Sequence, residues 1–159
     1  MPPIQAPAMR PSPFRSPAGG IWTDFFLLAE PGAVPQARRF TEAYLRHRRL
    51  MALSDTVALV ASELVTNAVR LTSASPLTEA DDLAIVALRV RLTPASLFVE
   101  VWDRDPRRPI LTHANALDEG GRGLALVATL AKAWDYYPCD AATAGKVVWA
   151  EIAIESVTS

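Results

Sequence analysis

The sequence predicts an α+β fold: a two-layer α/β sandwich, with helices on one face of a mixed, mostly antiparallel sheet. Two patterns lead there. Segments 83–92, 97–103 and 145–154 alternate apolar with polar residues instead of running continuously apolar, which suits strands with one face on a core. Segments 34–50, 54 to about 71, and 123–134 repeat their apolar residues at helical spacing. Their order along the chain is β, α, α, β, β, loop, α, β, β. Half of the 159 residues are hydrophobic, enough for one domain with a real core.

Residues 1–20, MPPIQAPAMRPSPFRSPAGG, hold six of the thirteen prolines. Proline fixes φ and lacks an amide donor, so an extended, mobile tail is expected here, with the folded domain over 21–155. Residues 21–30, IWTDFFLLAE, have strand-type side chains, and Pro31-Gly32 turns the chain. In the first helix Ala37, Phe40, Ala43, Tyr44 and Leu45 lie on or near one face. Its arginines 38, 39, 46, 48 and 49 form a basic set.

Ser54 or Asp55 caps the second helix, whose core stripe is Val57, Val60, Ala61, Leu64 and Ala68. Residues 72–82 are a polar loop. In 83–92, Ala84, Val86, Leu88, Val90 and Leu92 point one way, and Arg89 and Arg91 the other. In 97–103, Leu97, Val99 and Val101 share a face, with Phe98, Glu100 and Trp102 opposite. The loop 104–123 is long for a compact domain. After the third helix and DYYP, the last strand points Val148, Ala150, Ile152 and Ile154 inward.

A formal net charge of −1 gives the whole chain no general attraction for nucleic acid. A single cysteine, Cys139, excludes an internal disulfide framework. No apolar run is expected to approach the roughly 20 residues of a membrane helix, and no apolar signal segment follows the first basic residues. A cytoplasmic protein is expected.

Three places could carry chemistry. Glu63 and Asn67 stand one helical turn apart, about 40° around the axis, at the border of the apolar stripe. The period of two puts Asp103 on the row of Leu97, Val99 and Val101, where a carboxylate needs partners. EGGRGLALV (119–127) runs glycines into a helix start, a source of unpaired amide donors and positive dipole suited to phosphate. It is neither a dinucleotide fingerprint, since Leu126 stands at the third glycine, nor a P-loop.

In this order the three places resemble the gyrase, chaperone, histidine-kinase and mismatch-repair (GHKL) ATPase superfamily. The resemblance is strongest to small stand-alone anti-sigma-factor serine/threonine kinases and their actinobacterial relatives. ELVTNAV (63–69) is similar to the N box, VWDRDPRRP (101–109) to the adenine-binding G1 box, and GRGLALV (121–127) to the G2 box. GKVVWAEI (145–152) resembles the closing strand.

The resemblance implies a Bergerat-type sandwich binding ATP and Mg²⁺. It implies Asn67 as metal ligand, Glu63 as general base, and Asp103 as acceptor for the adenine amine. Arg122 and the amides of Gly121, Gly123 and Leu124 would hold phosphates under a lid of roughly 107–122. It also implies a protein partner, a sigma factor or an anti-sigma antagonist, and homodimers occur in such families. The sequence departs from the pattern at three points. Arg104-Asp105-Pro106-Arg107 replace the G1 glycines, Leu71 stands where a basic residue often follows the N box, and Val147 or Val148 where a threonine often lies.

Two functions from different classes follow. One is a kinase transferring phosphate to a Ser or Thr of a partner antagonist. The other is a non-catalytic ATP-dependent binding switch. A nucleic-acid binder using the 38–49 arginines is a third reading, distinguished by a steep salt dependence.

Overall fold

The computed structural model describes residues 12–17, 19–74, 84–109, 122–140 and 143–155. Among the described residues, five strands and three helices form the predicted two layers. They are β1 (Ile21–Leu28), α1 (Ala33–His47), α2 (Ser54–Ala74), β2 (Ile85–Leu92), β3 (Ser96–Asp103), α3 (Arg122–Leu130), β4 (Ala133–Pro138) and β5 (Lys146–Ala153). A short 3₁₀ turn, Met51–Leu53, precedes α2. The sheet order is β1-β2-β3-β5-β4. Each of these pairings is antiparallel.

The alternating rows set which face is buried. Val86, Leu88 and Val90 of β2, Leu97, Val99 and Val101 of β3, and Val148, Ala150 and Ile152 of β5 pack against the helices. From α2 the stripe Val57, Val60, Ala61, Leu64, Val65 and Ala68 meets them. A fully buried Val or Leu contributes roughly 1.5–3 kcal/mol, so this seam carries most of the stability. Phe25 of β1 stacks on Phe40 of α1, centroids 4.7 Å apart. Arg38 ties α1 to α2 by donating to Ser62 Oγ at 2.6 Å.

Met51–Ala74 is long and apolar enough to cross a membrane by length and composition, contrary to the expectation that no run approaches this. Scattered polar residues such as Ser62, Glu63 and Asn67 hide the run by eye. Its apolar stripe is buried against the sheet.

Part of the sheet's outer face is covered by the chain before β1. Residues 12–17 lie in the segment read as a mobile tail, yet Phe14 is only 6% exposed and packs with Ala87, Trp102, Tyr137 and Val147. Arg15 N donates to the Tyr137 hydroxyl at 3.1 Å. Beneath them Arg89, 3% exposed, grips Asp24 with a two-pronged ion pair and donates to the Arg15 carbonyl at 2.9 Å. Proline content speaks only of backbone stiffness, and one aromatic anchor is enough to dock such a chain. Residues 1–11 lie outside the described set.

The third helix ends at Leu130 rather than 134. Trp134 belongs to β4, paired with Ala150, so the ladder to β5 outcompetes the helical pattern of its last residues.

One glycine fixes how β5 begins. Gly145 has φ +81°, and a Cβ there would overlap the Asp103 carbonyl oxygen and the Arg104 backbone. The preceding Ala144 is also left-handed, φ 60°, and its carbonyl accepts from Trp102 Nε1 at 3.0 Å. This close approach sets the β3–β5 register, with Asp103 opposite Lys146. Gly145→Ala is therefore expected to lower unfolding free energy by roughly 2–4 kcal/mol, read from urea denaturation. A change under about 0.5 kcal/mol would mean that the strand start can relax.

Candidate functional site

A cavity of about 280 Å³ opens between α2, the ends of β3 and β5, and the first turn of α3. Its apolar walls are Leu64, Ala68 and Leu71 of α2, Val101 and Val148 of the sheet, and Leu124 of α3. Asn67, Arg70, Asp103, Arg107, Arg108 and Lys146 supply its polar groups. Small-molecule sites have this make-up: apolar walls with a few placed polar groups. The volume is near the low end for such sites and suits a heterocycle better than a whole nucleotide.

The floor is a buried ion pair. Lys146 is 1% exposed and Asp103 2%. Lys146 Nζ donates to Asp103 Oδ1 at 3.0 Å and to the Asp105 carbonyl at 2.8 Å. The Asp105 amide also donates to Asp103 Oδ1, at 2.8 Å. Burial pushes the Asp103 carboxyl above the usual carboxylate range. The Lys146 ammonium and the Asp105 amide pull it back only part of the way. Asp105 behaves oppositely: the Arg107 guanidinium, bonded to both of its oxygens, holds its carboxyl below the usual range.

The loop after β3 is held on the helix side too. Arg104 Nη2 donates to the Thr72 carbonyl near the end of α2 at 2.9 Å. With Asp105 and Arg107 at the glycine positions of the G1 pattern, the loop is anchored by side chains: Arg104 to α2, and Arg107 to Asp105.

Of the residues singled out from sequence, Asn67, Asp103 and Leu124 meet in this cavity. Glu63 is half-buried on α2, one turn before Asn67, and does not line it. Asn67 Oδ1 accepts from Arg70 Nη2 at 2.7 Å. Arg122 and Gly123 stand in the first turn of α3. Gly121 and most of the expected lid, residues 110–121, lie outside the described residues.

Two polar residues of the cavity escaped the sequence reading. The first is Lys146. The period of two that placed Asp103 inward places Lys146 inward as well, two residues before Val148. The second is Arg70, three residues after Asn67. It brings a cation to the helix edge where the expected position holds Leu71.

A metal held by protein alone does not fit here: among the described residues no three His, Cys, Asp or Glu side chains cluster to bind one. A divalent cation carried by phosphates fits better, since Mg²⁺ keeps several waters and needs only one or two protein oxygens. Asn67 Oδ1, which here accepts from Arg70, is an oxygen that could supply such a contact.

A family model described as histidine kinase-like ATPase domain matches residues 27–152. No curated protein matches the chain. The chain belongs to the histidine kinase-like ATPase domain family.

The buried pair makes a prediction in pH. Removing the ammonium with Lys146→Met removes a contribution that lowers the Asp103 pKa, so carboxyl-detected NMR should show Asp103 titrating higher in the variant than in wild type. A folded-state pKa above the unfolded one contributes stability that is present at low pH and lost as pH rises through the folded pKa. The variant should lose stability further with rising pH than wild type does. An unchanged or lower Asp103 titration would mean the ammonium does not stabilise the carboxylate.

Proposed function

We propose that this histidine kinase-like ATPase domain is a regulatory serine/threonine protein kinase of the anti-sigma-factor type. It passes the γ-phosphate of ATP to a Ser or Thr of a partner antagonist protein. The observation that carries this reading is the cavity, which gathers one residue from each of three separate motifs: Asn67 from α2, Asp103 from β3 and Leu124 from α3.

In this reading Asp103 accepts from the adenine amine, and Leu64, Ala68, Val101 and Val148 flank the base. Arg70 and Arg122, with the amides of Gly121, Gly123 and Leu124, hold the phosphates at the start of α3. Asn67 contributes a ligand to Mg²⁺, which when bound neutralises phosphate charge. Glu63 takes the proton of the partner's hydroxyl. The hydroxyl oxygen bonds to the γ-phosphorus as the bond from that phosphorus to the ADP oxygen breaks. The substrate hydroxyl would approach from the partner, on the Glu63 side of the helix.

A second reading rests on a specific observation. Glu63 does not line the cavity, while Asn67 and Asp103 do. Binding is therefore better provided for than proton transfer, as expected of a non-catalytic ATP-dependent switch for protein association.

Calorimetry separates binding from chemistry. Wild type should bind ATP more tightly with Mg²⁺ than without. Asn67→Ala should lose that Mg²⁺ enhancement and weaken Mg-ATP binding by about tenfold to a hundredfold, the worth of a contact to a charged group. No binding at millimolar ATP would overturn both readings. Transfer of labelled γ-phosphate to a protein of the source cell by wild type, but not by Glu63→Ala, would support the kinase. Equal transfer by both would remove Glu63 as the base, and tight binding with no transfer would favour the switch.

A further inference from the structure

The adenine reading uses Asp103 and gives Lys146 nothing to do. Yet a lysine that is 99% buried is rarely there for stability alone. Exchanging a buried ion pair for apolar side chains of similar volume is often neutral or stabilising. The Lys146 ammonium has three donors, and two have partners, Asp103 Oδ1 and the Asp105 carbonyl. Among the described residues the third has none, and Lys146 lines the cavity. Asp103 is its complement. Oδ1 already accepts two hydrogen bonds, while Oδ2 has no partner among the described residues. The cavity floor therefore offers one unused donor beside one unused acceptor, at neighbouring positions of paired strands.

Such a pair matches two adjacent atoms on the edge of a heterocycle, one a donor and the next an acceptor. Adenine presents its exocyclic amine next to the ring nitrogen N1. Guanine could offer its ring N–H and O6 to the same pair, but its exocyclic 2-amine would then need another acceptor. Asp103 is the sole carboxylate among the described cavity residues, and one of its oxygens is already filled. A buried amine without a partner is costly.

We infer that Lys146 is a specificity-determining residue that donates directly to N1 of the adenine ring while Asp103 Oδ2 accepts from the exocyclic amine. This rests on the proposal that the cavity binds ATP. The Lys146–Asp103 contact then orients both readers before the base arrives, and the Gly145 crossing holds them in place. The same arrangement disfavours guanine, and a base whose edge nitrogen cannot accept.

The test exchanges one atom of the ligand. Calorimetry of the full chain with Mg²⁺ compares ATP, 1-deazaadenosine triphosphate (a C–H replaces N1) and GTP. Wild type should bind the 1-deaza analogue and GTP at least about tenfold more weakly than ATP, the range for a hydrogen bond to a charged donor. Lys146→Met should bind ATP and the analogue within about twofold of each other. If Lys146→Met is unfolded by circular dichroism, the double variant Lys146→Met/Asp103→Asn, which leaves no buried charge unpaired, should show the same loss of discrimination.

Equal binding of ATP and the analogue by wild type would overturn the role of Lys146 and leave the ATP reading standing. Retained discrimination in the lysine variants would assign N1 to another group and overturn it as well. Binding of no nucleotide by wild type would overturn the ATP reading itself.

Discussion

The crossing of Gly145 over the Asp103–Arg104 backbone is the constraint on which the site depends. Only a residue without a Cβ fits there, and its φ of +81° is open to glycine at little cost. Everything next to it follows. The β3–β5 ladder starts with Asp103 opposite Lys146. The ammonium then reaches both Asp103 Oδ1 and the Asp105 carbonyl, which pins the loop leaving β3. Arg107 closes that loop on Asp105 and Arg104 fastens it to α2. A cavity floor of fixed shape results, assembled from a strand start, a strand end and a loop. Because this pair is buried, removing either partner alone is expected to cost more than the pair contributes.

The helix α2 divides its faces between holding and presenting. Leu64 and Ala68 are committed to the core. Asn67 stands at the rim with its oxygen on Arg70, and Glu63 stands outside the cavity. The distinction between a binding module and a kinase thus lies within two turns of one helix. A partner that brings its hydroxyl to the Glu63 side would complete the chemistry. A partner that recognises only the nucleotide-bound surface would not require it. Three of the five arginines between 38 and 49 have partners inside the chain: Arg38 on Ser62, Arg46 on Glu42, and Arg48 over the Tyr44 ring.

The two-layer fold was legible because its signals are periodic. Rows such as Val86, Leu88, Val90 and Leu97, Val99, Val101 repeat every two residues, and the α2 stripe every three to four. Both periods come from backbone geometry. Asp103 was legible for the same reason, as the continuation of a row. Lys146 obeys that rule and was passed over because a lysine is normally read as surface. Its burial depends on a partner 43 positions away, which no local pattern records. The docking of Phe14 and the end of α3 at Leu130 were illegible for a related reason: each is decided by a neighbouring strand. The role of Arg70 falls between, since i, i+3 spacing from Asn67 was readable but the family pattern pointed to position 71.

The most direct test of this account is a crystal structure of the full chain with Mg²⁺ and a non-hydrolysable ATP analogue. The account predicts the base between α2 and the β3–β5 ends, its amine on Asp103 Oδ2 and N1 on Lys146 Nζ, with the phosphates at the start of α3 near Arg70. A base bound elsewhere, or one in this cavity with Lys146 still turned wholly to Asp103 and the Asp105 carbonyl and no contact to the ring, would contradict it.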